Sequence, residues 1–271
     1  QRVIVGIHEV YGRIYKELGF DRVIKNPGRR RAGVRNLFQI VMGRLSSGGS
    51  KMRTVKGMRE EFGVELSLAS VYRMMDLVDE EVKSRIEDRA YEAACGLLGE
   101  RIKVIFYDCT TLYFESFKED EIRKKGYSKD MKFNETQVLL GVMVTESGLP
   151  VGYEVYEGSR YEGNTLMEAI EKIRRRYKVG EVIFVGDSGI MNKKNIEMIE
   201  GLGGKYIMGA RIKGMSKEVK EEIQKRESYK EVVGKDGERC WIKEIDLGKG
   251  MRLIVSFSEA RARKDAEDRE E

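Results

Sequence analysis

The chain has 271 residues and carries 51 lysines and arginines against 46 aspartates and glutamates, a net charge of +5. Hydrophobic residues make up 41% and charged residues 36%, which allows a core of ordinary size and excludes a disordered tail or a disulfide miniature. A single histidine and three scattered cysteines, Cys95, Cys109 and Cys240, argue against histidine zinc centres, serine–histidine triads and disulfide frameworks. No apolar run approaches the ~20 residues of a membrane span, and the start lacks the apolar stretch of a secretory signal. A cytoplasmic location, with no membrane partner, is expected.

The charge is unevenly placed. Residues 1–59 hold 14 basic and 3 acidic residues, and no acid lies between Arg22 and Arg59. Such a one-sign segment suits a polyanion. Candidate DNA contacts here are Arg29, Arg30, Arg31, Arg35, Lys51, Arg53 and Lys56. A solubilising face is the plainer alternative.

In chain order, Val10, Ile14 and Leu18 have the spacing of a short helix, which Pro27 and Gly28 break. A second helix is expected over Val34–Leu45, and Ser46–Ser50 reads as a loop. Two short helices then meet at Gly63, and the second, through Met75, opens with Ser67 as its cap. This outlines a helix-turn-helix, with Ser70 and Arg73 as base-edge candidates. The position four before Gly63 is usually small in that motif, and here it is Arg59. An ordinary helical hairpin fits the same pattern. A longer helix, about Asp79–Leu98, closes an all-α segment.

After Gly99 the periodicity changes. Strands are expected over Lys103–Asp108, Gln137–Val144 and Pro150–Tyr156, the last two joined by a hairpin. An amphipathic helix over Thr165–Tyr177 follows, then a strand over Val182–Asp187, a helix over Asn192–Leu202 and a strand over Lys205–Ala210. Tyr229–Val233, Arg239–Asp246 and Met251–Phe257 read as a separate small sheet, and Ser258–Glu271 as a charged helix.

Two of these strands end in an acid, Asp108 and Asp187. Ligand sites of α/β sheets lie beyond the carboxyl ends of strands. If the two strands are neighbours, both carboxylates emerge at one edge, where two oxygen ligands attract Mg²⁺ or Mn²⁺. Such an ion supports phosphoryl transfer without histidine. Taken singly, Asp108 also suits a turn and Asp187 a helix cap.

Tyr107–Phe114 resembles the first-aspartate motif of bacterial insertion-sequence transposases with a DDE catalytic domain. Gly126–Asp130 with Lys132–Val138, the hairpin Gly148–Tyr153, the Val185–Gly189 motif around Asp187 and the strand Tyr206–Arg211 resemble further family segments, in family order, over about Lys103 to Arg263. The resemblance implies an α/β, RNase H-like mixed sheet with flanking helices and a small β-insertion, preceded by the all-α segment. The division is then 1–99 for DNA binding and 100–271 for the catalytic core, with a β-rich insertion at about 212–257. It implies Asp108 and Asp187 as catalytic, metal-holding residues, Mg²⁺ or Mn²⁺ as cofactor, and double-stranded DNA (transposon ends and target) as partner. It further implies a homo-oligomer during transposition and a bacterial or archaeal nucleoid setting. Separately, Lys124, Lys125, Lys129 and Lys132 form a basic loop suited to holding a DNA backbone near the active edge, and a solvated loop is the equal alternative.

The family's third acid, a glutamate in a tyrosine-arginine-glutamate-lysine pattern, has no counterpart after Phe257. An incomplete copy is therefore expected, which binds DNA and metal without cutting or joining strands. A non-catalytic DNA-binding relic and another metal-dependent RNase H-like nuclease are the alternatives.

Overall fold

The computed structural model describes the chain except residues 1–3, 27, 29, 100–101, 127–133, 178–182, 191, 234–236, 238 and 271. The described chain divides into two compact units, residues 1–186 with 192–207, and residues 187–191 with 208–271.

The first unit begins with five helices: α1 (Gly6–Glu17), α2 (Arg31–Ser46), α3 (Lys51–Phe62), α4 (Leu68–Met75) and α5 (Glu80–Leu98). Their ends follow local chemistry. Ser50, Ser67 and Asp79 cap α3, α4 and α5 by accepting from the third following amide, and Gly63 and Gly99 take the left-handed conformation that stops a helix. Helix α2 is central. Its Leu37 and Ile40 pack with Leu66, Val71 and Met74 around α4, and Leu37 and Val34 pack on Val23, Ile24 and Val82. At Gly43 a Cβ would lie 2.7 Å from the Thr54 methyl, so the glycine lets α2 and α3 approach closely. The only histidine, His8, is a packing residue: it touches the Phe38 and Phe62 rings and hydrogen-bonds Gln39 at 2.8 Å.

The helices lead into a five-stranded sheet of β1 (Val104–Phe114), β2 (Thr136–Thr145), β3 (Pro150–Glu157), β4 (Ile183–Gly186) and β5 (Lys205–Met208), in the order β3-β2-β1-β4-β5. β1 to β3 form an antiparallel meander, and β4 joins β1 in parallel. That mixed order is RNase H-like. Helices α6 (Leu166–Tyr177) and α7 (Lys193–Gly201) complete the unit. α6 buries Leu166, Ala169, Ile170 and Ile173, the stripe its spacing predicts. Asn192 caps α7, and Gly203 and Gly204 end it.

Helix α5 is tied to the sheet by charge. Glu87, 3% exposed, accepts the Tyr153 amide of β3 at 3.1 Å and an ion pair from Lys172 of α6 at 3.1 Å. Glu154 of β3 pairs with Lys172 and, at 3.1 Å, with Lys83 of α5. Removing one member would leave an uncompensated charge in a site with little water.

The second unit contains α8 (Lys217–Gln224), β6 (Lys230–Val233), β7 (Arg239–Gly248), β8 (Met251–Phe257) and α9 (Glu259–Glu270), with the strands in the antiparallel order β6-β7-β8. The sequence reading of a small sheet holds. It missed α8, whose signals are a Ser216 cap and Val219 and Ile223 four residues apart on one face. These two pack with Ile245, Leu253 and Val255. Lys243, 4% exposed, reaches from β7 to Glu222 at 2.7 Å.

Two expectations follow. A Cβ at Gly141 on β2 would collide with the Tyr107 hydroxyl of β1. Gly141→Ala should lower stability by about 1–3 kcal/mol, and adding Tyr107→Phe should recover part of it, as read from urea midpoints. In the second unit, Lys225 and then Lys243 hold the Glu222 carboxyl at about 2, below its ordinary 4.5. A depressed carboxylate stabilises the fold above its unfolded value and loses that effect as pH falls through the folded one. Fluorescence of Trp241, the only tryptophan, should therefore report acid loosening between about pH 4.5 and 2. Glu222→Gln should flatten that pH dependence.

Candidate active site and nucleic-acid interface

Asp108 does not end its strand. β1 runs on to Phe114, carried by β-branched and aromatic residues that keep pairing with β2 as far as Phe114–Thr136. What stops at Phe106 is the pairing with β4. Asp108 therefore stands two residues past the last β4 partner, where one side of β1 is free of that ladder. Along β1, Ile105, Tyr107 and Cys109 are buried while Phe106, Asp108 and Thr110 alternate to the exposed face. The buried side is fixed by polar contacts. The Tyr107 hydroxyl lies 3.4 Å from the Cys109 sulfur, which is 3.2 Å from the Thr165 hydroxyl, and Tyr156 donates to the Thr165 carbonyl at 3.1 Å. Burial pushes the Tyr107 hydroxyl and the Cys109 thiol up. Cys109 is thus a protonated packing residue rather than a nucleophile.

β4 ends at Gly186 and Asp187 is the next residue. Its Oδ1 accepts the amides of Gly189 at 2.8 Å and Ile190 at 3.1 Å, so the turn role is realised. The helix-cap role is not, because α7 starts later, behind Asn192. Within the second unit the turn is held from one side. The Arg211 guanidinium donates to the Ser188 carbonyl at 2.9 Å, and a Cβ on Gly209 would sit 2.7 Å from the Ser188 amide. Sequence reasoning assigned no role to Gly209 or Arg211, because their effect depends on a fold-back that no local pattern announces.

The register is parallel. Phe106 pairs with Val185 and Val104 with Ile183, so the strand directly before Asp187 runs parallel to the strand that carries Asp108. Both aspartates are exposed. Asp108 Oδ1 accepts the Cys109 amide at 2.8 Å. Among the described residues, Oδ2 of either aspartate has no hydrogen bond or ion pair. An open carboxylate oxygen is the kind of donor that a hard divalent cation takes. No group of three or more acidic, histidine or cysteine side chains suited to a metal occurs among the described residues.

In the helical segment, α3 and α4 meet through left-handed Gly63, as the sequence predicts. Arg59 is exposed and pairs with Glu65 at 3.4 Å, so a large residue is accommodated on the outside. Arg30, Arg31 and Arg35 are exposed at the start of α2, Arg53 on α3 and Arg73 on α4. None of these five has an ion-pair partner among the described residues. Lys56 is exposed and lies 3.9 Å from Glu60, and Lys51 lies over the Tyr72 ring. Ser70 is half-buried, and its hydroxyl donates to the Ser67 carbonyl at 2.7 Å, which makes it a poorer base reader than its position suggests. Arg29, Lys129 and Lys132 lie outside the described residues. Lys124 belongs to a bridge with Gln137.

The sheet order defines an RNase H-like protein. The chain belongs to the Transposase DDE domain family, whose sequence model matches residues 99–264. A comparison with curated proteins gives no match. Similar solved structures include the Mos1 transposase paired-end complex with left transposon end, at 11% identity and TM-score 0.28, covering 62% of this chain and 56% of that one. Another is the piggyBac transposase synaptic complex with hairpin DNA, at 8% identity and TM-score 0.42, covering 83% and 50%. The chain spans about half the length of each. No helix among the described residues is long and apolar enough to cross a membrane.

Proposed function

We propose that the chain acts in DNA transposition as a DDE-type transposase, with residues 1–99 recognising transposon-end DNA and residues 100–271 forming the catalytic portion. The β-rich insertion at about 212–257 belongs to the latter. Asp108 and Asp187 are the catalytic carboxylates and hold Mg²⁺ or Mn²⁺. The observation that carries this reading is the family match over residues 99–264, which contains both acids. The parallel pairing of β4, which directly precedes Asp187 in the chain, with β1 supports it.

When bound, a divalent ion supplies charge neutralisation and activation of an oxygen at the scissile phosphate. The chain's own residues do the rest. The Cys109, Gly189 and Ile190 amides orient one oxygen of each aspartate. Arg211 and Gly209 keep the Asp187 turn in place. Arg30, Arg31, Arg35 and Arg53, without ion-pair partners among the described residues, bind phosphates. Duplex DNA and a homo-oligomer holding two ends are the partners this activity calls for.

The DNA half of the proposal is tested by salt titration of duplex binding by the whole chain. Each neutralised phosphate contributes about −0.9 to the slope of log K against log salt. Replacing Arg30, Arg31 and Arg35 by alanine should flatten that slope by up to about 3 units. An affinity independent of salt, or a triple variant with an unchanged slope, would contradict the assignment of this segment to DNA.

A further inference from the structure

The outward face of α4 carries more than positive charge. Val71 and Met74 are buried against α2 and α3, and Ser70 is turned back on its own helix. Ala69, Tyr72 and Arg73 are exposed. Their spacing of three and four residues puts them on one face. Tyr72 leaves half of its surface in water, 50%, an unusual place for an aromatic ring unless the face meets something. The Lys51 ammonium, at the start of α3, stands 5.6 Å from the centre of that ring. Arg53, two residues further along α3, is exposed and without an ion-pair partner among the described residues.

We infer that Tyr72 is a specificity residue, packing its ring against a thymine methyl in the major groove while Lys51 meets the adjoining phosphate. The inference rests on the reading of α3 and α4 as a DNA-binding helix-turn-helix. In that geometry the second helix enters the major groove, and its first turns face base edges. The thymine C5-methyl is the one apolar feature a base pair shows there, and small or aromatic side chains recognise it by contact. Ala69 and the Tyr72 ring offer such a surface, and Arg73 beside them offers guanine a two-pronged donor. Lys51 is placed by the same α3 that carries Arg53 and Lys56, so the aromatic contact and the backbone contacts share one rigid support. Ser70, by contrast, has its hydroxyl proton committed to Ser67.

The test uses the whole chain and a duplex of about 20 base pairs, selected from a random-sequence pool by wild-type binding. Uracil then replaces each thymine in turn, which removes only a methyl. At one position the wild type should lose about three- to tenfold in affinity. Tyr72→Phe should keep that discrimination. Tyr72→Ala should bind the selected duplex more weakly by a similar factor and be indifferent to uracil. Its affinity for an unselected duplex and its salt slope should be unchanged. Tyr72 is a surface residue, so the variant should remain folded, which circular dichroism checks. Discrimination retained in Tyr72→Ala, an equal loss on both duplexes, or no uracil effect at any position would overturn the inference and leave DNA binding standing. A wild type that binds no duplex, or selects no sequence, would overturn the helix-turn-helix reading and this inference with it.

Discussion

The parallel pairing of β1 with β4 is the constraint on which the candidate active site depends. Antiparallel pairing would send the residue after β4 toward the opposite end of β1. Parallel pairing makes β1 and β4 run the same way, and Asp187 is the residue that follows β4 in the chain. The face matters as much as the direction. A one-residue slip of β1 would turn Asp108 inward and Tyr107 outward. Such a slip is resisted by the buried contacts among Tyr107, Cys109, Thr165 and Tyr156, and by the missing side chain of Gly141 that leaves room for the tyrosine hydroxyl.

The same sheet explains why the helical segment and the strands fall in one compact unit. Glu87 of α5, buried and paired with Lys172 and the Tyr153 amide, ties the last helix of the all-α segment to the edge strand β3 and to α6. Lys83 and Glu154 extend that tie. A network of this kind gives little net stability but penalises alternatives strongly, since any other docking of α5 strands a charge. Helices α2 to α4 are thereby connected through packed elements to the strand meander that carries Asp108.

Much of this was legible in the sequence because it is local. The Ser67 cap, the Gly63 turn, the α6 stripe and the strands around each aspartate follow from spacing and propensity, and the motif resemblance gave the sheet its RNase H-like order. What was not legible is what depends on partners distant in sequence. Asp108 was expected at a strand end. Instead β2 keeps β1 paired six residues further, to Phe114, and only the register with β4 marks the acid as special. Ser70 looked free to read bases until α4 formed and turned its hydroxyl to Ser67. α8 was hidden because its short Val219–Ile223 pattern sits in a polar stretch and gains its meaning from the sheet beneath it. The role of Gly209 and Arg211 in holding the Asp187 turn arises from a chain reversal that leaves no local trace.

The central claim is that Asp108 and Asp187 hold one divalent ion together. Mn²⁺ binding to the whole chain, followed by electron paramagnetic resonance, tests it without relying on strand cleavage. Asp108→Asn and Asp187→Asn preserve shape and remove charge. The account predicts that each alone weakens Mn²⁺ by at least about tenfold, the scale that even an outer-shell change can reach. It further predicts that the double variant is little worse than either single one, since both ligands serve the same ion. Single variants that bind Mn²⁺ as the wild type does, or whose losses simply add, would contradict a shared site.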